Sequence, residues 1–315
     1  MSIAIANKTV KQTSRAKSLL LWRKITNVGF WSFSLIGLVL IMTPLLWLLY
    51  DVIKSAVPNW HFSVLFAQTK GVGGGISNAI VGTLVIILGV GIFGTLVGVS
   101  TGIYIAEYAR QRVSSILKLA SETLAGIPSI VLGYVGYAAL VVGLHLGFSL
   151  GAALVVLTLM VLPYIAKSTE SALARVPTSY REAAFALGMT KTEALLKIIL
   201  KPALGQIITG IIIALAIALG ETAPLLYTAG WSAFYPKLSF SHSPVGYLTY
   251  VVWTYYNQPF KSARALSFDS ALVLVVMVLF LIIFAKFVNA IFKRTMYEEV
   301  QTMSRSISKR VSKRL

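Results

Sequence analysis

Cysteine does not occur anywhere in the 315 residues. Its absence excludes disulfides, thiolate metal sites and a cysteine nucleophile. Histidine is nearly missing as well: His61, His145 and His242 stand far apart in sequence, which leaves little from which to build a metal or acid–base constellation. Charge is scarce, 12% of residues where a soluble domain carries about 25%. Acid is scarcer still, with 10 Asp and Glu beside 28 Lys and Arg. What remains is apolar: 57% of the chain lies in the hydrophobic set and the mean hydropathy is +0.81. No soluble core hides that much, so lipid must serve as solvent for most of the chain. Enzymatic chemistry is not expected here, and the residues suggest no cofactor or metal site.

Six apolar stretches are long enough to cross about 30 Å of hydrocarbon, which takes about 20 helical residues. They fall near 27–50, 78–103, 121–146, 149–166, 203–226 and 269–292. The expected fold class is an all-α polytopic membrane protein with six transmembrane helices. The first stretch follows a basic segment, 1–24, and lacks a small-residue cleavage pattern, so it reads as a retained helix.

A formal charge of +18 would suggest nucleic acid in a soluble protein, but its distribution says otherwise. Segments 1–24, 104–120, 167–202 and 286 onward hold 23 of the 28 Lys and Arg, and the opposite side holds only Lys54, Lys70, Lys237, Lys261 and Arg264. The positive-inside bias then places both termini in the cytoplasm. The basic tail, 296–315, can lie on the anionic headgroups of the lipid bilayer. No nucleic-acid partner is expected.

Two loops face the opposite side. The first contains Gly71-Val72-Gly73-Gly74-Gly75, yet it lacks the Gly-Lys-Ser/Thr ending and preceding strand of a phosphate loop, and reads as a flexible lead-in to the second span. The second, 227–268, is aromatic, and its apolar run Val245–Tyr256 is too short to span. Anchoring at headgroup level and a gate over an external cavity both fit it.

The loop between the fourth and fifth stretches carries more information. Ser179 and Glu182 have capping-box spacing, followed by Tyr180, Ala183, Ala184 and Leu187 at helical intervals. Gly188 stands where a left-handed helix cap belongs, and Thr190 with Glu193 forms a second box before Ala194, Leu195, Ile198 and Ile199. Two short helices meeting at Gly188 are therefore predicted. A connection between spans needs only about two to eight residues, so a stiff helix pair points to something cytoplasmic that reads it. Taken alone, Glu182 is explained by the cap; the loop as a whole favours a contact.

Glu182-Ala183-Ala184 with Gly188 resembles the EAA loop of binding-protein-dependent ABC importer permeases. Gly74-Gly75-Ile76 through Gly82-Thr83-Leu84, Gly102 to Tyr108, Ala125 to Val131 and Gly220-Glu221-Thr222-Ala223-Pro224-Leu225-Leu226 are similar to phosphate-specific permeases of the PstA type. The resemblance covers about residues 25–295, with Leu200-Lys201-Pro202 standing where the family usually has Leu-Pro. It implies a type I ABC importer permease fold: a transmembrane domain at 25–295, with a coupling-helix loop at 177–202 and Glu182, Ala183, Ala184 and Gly188 as the ATPase-coupling residues. It further implies a prokaryotic cytoplasmic membrane and a role in moving phosphate. The implied partners are a homologous permease subunit, two ATPase subunits, where ATP and magnesium would bind, and an external phosphate-binding protein. A permease for molybdate or sulfate is the nearest alternative. An ion-coupled secondary transporter is the more distant one, since it has no use for a capped helix pair.

Glu221 is the outstanding ionisable residue within a span, and such residues are costly to bury. With Thr222 and Pro224 it is assigned to a translocation path or gate; an interhelical salt bridge and an interfacial charge are the other readings. Pro224 is expected to break the backbone ladder. The span cores before Lys286 contain no Lys or Arg, so an anion would have to be met by helix N-termini, by glycine-rich backbone or by the partner permease. Glu122 is read as complementing the dipole at the start of the third span, and Gly126 with Pro128 as close packing, a kink or a bend that lines the path.

Overall fold

The computed structural model describes the backbone of residues 2–312, and the side chains from Trp22 to Phe292 apart from Ile25 and Asn59. The side chains of 1–21 and of the basic tail 296–315 therefore lie outside the described residues. Residues 1–58 and 59–315 form two compact units. The first is built on α1 (Ser2–Ala56), whose stretch from Trp22 onward is long and apolar enough to cross a membrane.

The second unit begins with a helical turn, Ser63–Phe66, and a minimal antiparallel hairpin, β1 (Thr69–Lys70) with β2 (Gly73–Gly74). The glycine run thus folds into a defined turn. It is pinned by the Thr69 hydroxyl, which lies within hydrogen-bond distance of Gly75 O (2.8 Å) and Asn78 Oδ1 (2.9 Å). From it rises α2 (Ser77–Ile103), which ends in a wider π turn, Tyr104–Tyr108.

The third expected span is not one rod. It consists of α3 (Gln111–Gly126) and α4 (Ser129–Gly136), the latter extended by a π turn to Gly143, and the two halves are bent by 96°. Proline explains the break: Pro128 disfavours helical conformation in the residue before it, and Ile127 is extended, with φ −71° and ψ 127°. Nothing lies within 4 Å of a methyl built on Gly126, so the kink, not close packing, accounts for this pair. Helix α3 starts at Gln111, ten residues before the apolar stretch that begins near 121. Glu122 consequently sits near its carboxyl end, where the dipole is negative, and not at the start of a span.

α5 (Leu150–Ala174) is capped by the Ser149 hydroxyl, which accepts from Ala152 N at 3.3 Å. After α6 (Thr178–Ala186) comes α7 (Lys191–Leu219), one long apolar helix with a π turn at Leu195–Ile199. A short α8 (Ala223–Thr228) and a single turn α9 (Leu248–Tyr250), which runs into a π turn to Tyr255, precede α10 (Lys261–Ser312). Among the described residues, five helices could cross a membrane, or six when the bent pair counts as one.

The core of the second unit lies where α2, α5 and α7 meet: Ile86, Val90, Leu157, Val161, Ile165, Ala214 and Ala218 are buried there. In lipid such contacts hold through close packing more than through the hydrophobic effect. Much of the segment Val245–Tyr256 packs into the interior of the second unit. Val245, Tyr247, Leu248 and Val251 are all buried, Leu248 N donates to Thr83 Oγ1 at 2.9 Å, and Tyr250 stacks on Trp231 at 4.4 Å. Phe234, Tyr235, Phe240, Trp253 and Tyr256 of the same loop remain exposed.

Candidate coupling corner and helix break

The loop after α5 turns sharply at Arg175–Pro177 and starts α6 at Thr178, with Pro177 in the N-cap position and no side-chain cap. Ser179 is therefore the second helical residue, and the expected Ser179–Glu182 box does not form. Proline supplies a preset φ and has no amide hydrogen to leave unpaired, so the helix begins two residues early. The second box is present: Glu193 N donates to Thr190 Oγ1 at 3.3 Å, and Thr190 N donates to Glu193 Oε2 at 3.0 Å. Gly188 has φ +75°, the left-handed conformation its position required. The helix it introduces is not short, because α7 runs on without interruption to Leu219.

Ala183 and Ala184 have different tasks. Ala184 is 2% exposed and packs with Leu173, Val176, Leu195 and Ile199, where a longer side chain would pry α6 from the body. Glu182, Ala183, Phe185, Leu187 and Gly188 face outward, with Leu187 81% exposed. The apolar stripe that sequence periodicity suggested for packing is thus largely turned away from this chain's own core. An apolar surface beside a capped turn is suited to another protein.

Arg181 holds this corner in place. Its Nη1 donates to Val176 O at 2.9 Å; its Nη2 donates to Leu173 O at 3.0 Å and to Glu107 Oε1 at 2.6 Å. The guanidinium thereby gives a second donor to Leu173 O, near the end of α5, and a donor to Val176 O just beyond it. It also ties α6 to the π turn after α2. The next residue of that turn reaches the other helix: Tyr108 Oη lies 3.2 Å from Thr192 Oγ1, and Lys191 Nζ is 5.1 Å from the Tyr108 ring centre. One turn therefore grips both arms of the corner. Sequence reasoning missed Arg181 and Glu107. The signal available was a lone acid at the end of a span and a lone base inside a capped loop.

At the far end of α7 the helix stops at Gly220. Glu221 N still reaches Ala218 O at 3.2 Å, and the chain restarts as α8, with Thr222 in the N-cap position. Pro224 does not break a helix; it sits in the first turn of a new one, where a missing N–H costs little. The Glu221 carbonyl freed by the break accepts from Thr249 Oγ1 at 2.9 Å. Hydroxyls commonly satisfy such groups in membranes. Glu221 and Thr222 are half-buried and Pro224 is buried against Gly133 of α4, where an added methyl would stand 2.7 Å from the proline Cα. Among the described residues, the Glu221 carboxylate makes no hydrogen bond or ion pair. The structure brings Glu182, Ala183, Ala184 and Gly188 together at one end of α7, and Glu221, Thr222 and Pro224 at the other. Among the described residues, no group of three His, Asp or Glu could hold a metal ion.

The helical body with its broken span, capped two-helix corner and second helix break has the type I ABC importer permease fold. The inward-facing MetNI methionine ABC transporter has this fold: a chain of it superposes with a TM-score of 0.58 at 20% identity, covering 69% of this chain and 95% of that one. Residues 94–297 match the family described as binding-protein-dependent transport system inner membrane component, and the chain belongs to that family. It is a multi-pass inner-membrane permease subunit. It is 55% identical over 272 residues to phosphate transport system permease protein PstA 2 of Mycobacterium bovis, covering 86% of this chain and 90% of that protein. It is 31% identical over 294 residues to phosphate transport system permease protein PstA of Yersinia pestis, covering 92% and 98%.

Proposed function

We propose that this chain is a membrane-spanning half of an ATP-driven importer of inorganic phosphate, and that the corner at Gly188 seats an ATPase subunit. The reading is carried by one observation above all: an outward-facing apolar corner, fixed by Arg181 to two spans, that the chain does not use itself. The names of the relatives support phosphate as substrate. The rest of the assembly is a homologous permease, two ATPase subunits that bind ATP and magnesium, and an external phosphate-binding protein. Closure of the ATPases on ATP would move α6 and, through the π turn at Tyr104–Tyr108, the ends of α2 and α5.

Gly188→Val tests the coupling. Nothing lies within 4 Å of the added Cβ, so any cost comes from the left-handed backbone alone, about 1–2 kcal/mol. The expected outcome is a normally inserted permease that no longer retains ATPase when purified and no longer takes up phosphate. Wild-type levels of both would end the assignment.

Lys and Arg distribution supports a cytoplasmic position for the corner and for both termini. In this cysteine-free chain a single introduced cysteine is easily read. On intact cells a membrane-impermeant thiol reagent should spare a Thr190→Cys variant and label a Ser241→Cys variant; the reverse pattern inverts the topology.

Glu221, Thr222 and Pro224 we assign to the gate. Helix α7 has 29 residues, about 43 Å at 1.5 Å per residue, so it outruns the hydrocarbon. A start in the cytoplasm at Lys191 draws Glu221 deeper into the membrane than a span beginning at residue 203 would.

A further inference from the structure

Where α7 stops, its last turn, helix α2 and the start of α9 enclose a small cavity whose wall includes Thr83, Ala218, Leu219, Tyr247 and Thr249. The space open to the centre of a water molecule is about 10 Å³, which is room for one water and nothing larger. Tyr247 is 1% exposed, and its hydroxyl has no hydrogen-bond partner among the described residues. A phenol buried in this way ordinarily finds one, since leaving it unpaired costs free energy. Acceptors stand on the same wall. At the end of α7, Ile217 O accepts from Gly220 N at 3.1 Å and Ala218 O from Glu221 N at 3.2 Å, but no amide of the described residues turns to Leu219 O. Thr83 Oγ1 donates to Ala79 O and accepts from Leu248 N, while Thr249 Oγ1 donates to Glu221 O. A hydroxyl oxygen has two lone pairs, so each threonine can still accept.

We infer that this cavity binds a single ordered water, held by Tyr247 Oη and by acceptors at the end of α7 and on the two threonines, and that the water is a working part of the joint at Gly220–Thr222. A dry cavity of this size needs an apolar wall; this one offers a phenol that donates and accepts, together with free lone pairs, and a buried water needs about two to four such partners. Direct hydrogen bonds already chain Thr83 to Leu248, and Thr249 to the Glu221 carbonyl. The water adds Tyr247 to that chain and links α9 to α7 on the helical side of the break. Such a bridge is nearly as favourable as a direct hydrogen bond, yet it lets the two backbones shift against each other without either losing its partner. The inference concerns how the joint is held, so it stands whichever anion the importer carries.

The test compares the complete transporter, nucleotide-free in lipid nanodiscs, with its Tyr247→Phe variant, which loses the hydroxyl and keeps the ring. Electron cryomicroscopy at a resolution that shows ordered water should find one peak about 2.5–3.0 Å from Tyr247 Oη in the wild type, and none there in the variant. Amide exchange in peptides covering 218–223, read by mass spectrometry, should quicken about fivefold in the variant, as expected for the loss of one hydrogen bond. No peak beside Tyr247 Oη in the wild type overturns the inference, and so does a peak that persists in the variant. A peak ringed by six or more oxygens at about 2.3–2.6 Å marks a cation and overturns it as well. If the peak disappears while exchange at 218–223 stays at the wild-type rate, the water only fills space, and its part in the joint is refuted. Should Tyr247→Phe fail to assemble, the wild-type map decides alone. Phosphate uptake enters none of these outcomes, so the assignment of the importer and the assignment of the water fail separately.

Discussion

Arg181→Ala should leave an inserted permease that is less stable and releases its ATPase. Glu107 is only 9% exposed, and removing its cation strands a carboxylate in a poorly solvated place while Val176 O loses its guanidinium donor and Leu173 O is left with its backbone donor alone. Breaking a buried pair costs about 3–5 kcal/mol, and since Arg181 keeps 22% of its side-chain surface exposed, the cost here should lie at or below the low end of that range. Thermal unfolding of the detergent-solubilised complex measures the first effect and co-purified ATPase the second. A second substitution separates charge from tether. Adding Glu107→Gln to Arg181→Ala removes the stranded charge, so stability should largely return, yet nothing then ties α6 to the π turn and coupling should stay lost. If the double variant regains both, the pair acts only in folding.

Glu221→Gln is the other large effect. The carboxylate stands in a helix break, half-buried and without a partner among the described residues. An unpaired charge is kept in such a place only where water, a second subunit or substrate reaches it. Glutamine preserves shape and most hydrogen bonding, so a packing residue would tolerate it. The expected result is an importer that assembles with its ATPase but takes up phosphate poorly, or hydrolyses ATP without transport. Uptake and binding-protein-stimulated ATPase activity in proteoliposomes read this directly. Wild-type values for both would reduce Glu221 to a structural role, and failure to assemble would point to a salt bridge with the partner permease.

Local signals told the truth where the physics is local. The Thr190–Glu193 box and the left-handed Gly188 depend on neighbours within a few residues, and both stand as the sequence implied. The Ser179–Glu182 box failed for an equally local reason: Pro177 could start the helix itself. Hydrophobicity located the spans but not their breaks, because an apolar stretch looks the same whether straight or bent by 96° at Pro128. Pro202 suggested the beginning of the fifth span, while the helix in fact starts at Lys191, which shifted the reading of Glu221. The Arg181–Glu107 tie joins residues 74 apart; no periodicity within either segment announces it.

The glycines on one side of α2 set the number of moving parts. A methyl group on Gly98 or Gly102 would come within 2.8 Å of Ile165 or 2.6 Å of Ala166 O and Thr169, so α2 and α5 touch almost backbone to backbone, with little room to slide. Such a pair resists shear and behaves as a single stiff lever, fastened at its end to Arg181. Flexure is then left to places where the helical backbone is already interrupted, Ile127–Pro128 and Gly220–Thr222 among them. A push on the corner would then reach the far end of the α2–α5 pair as a rotation, its stroke set by lever length and not by softness distributed along the chain.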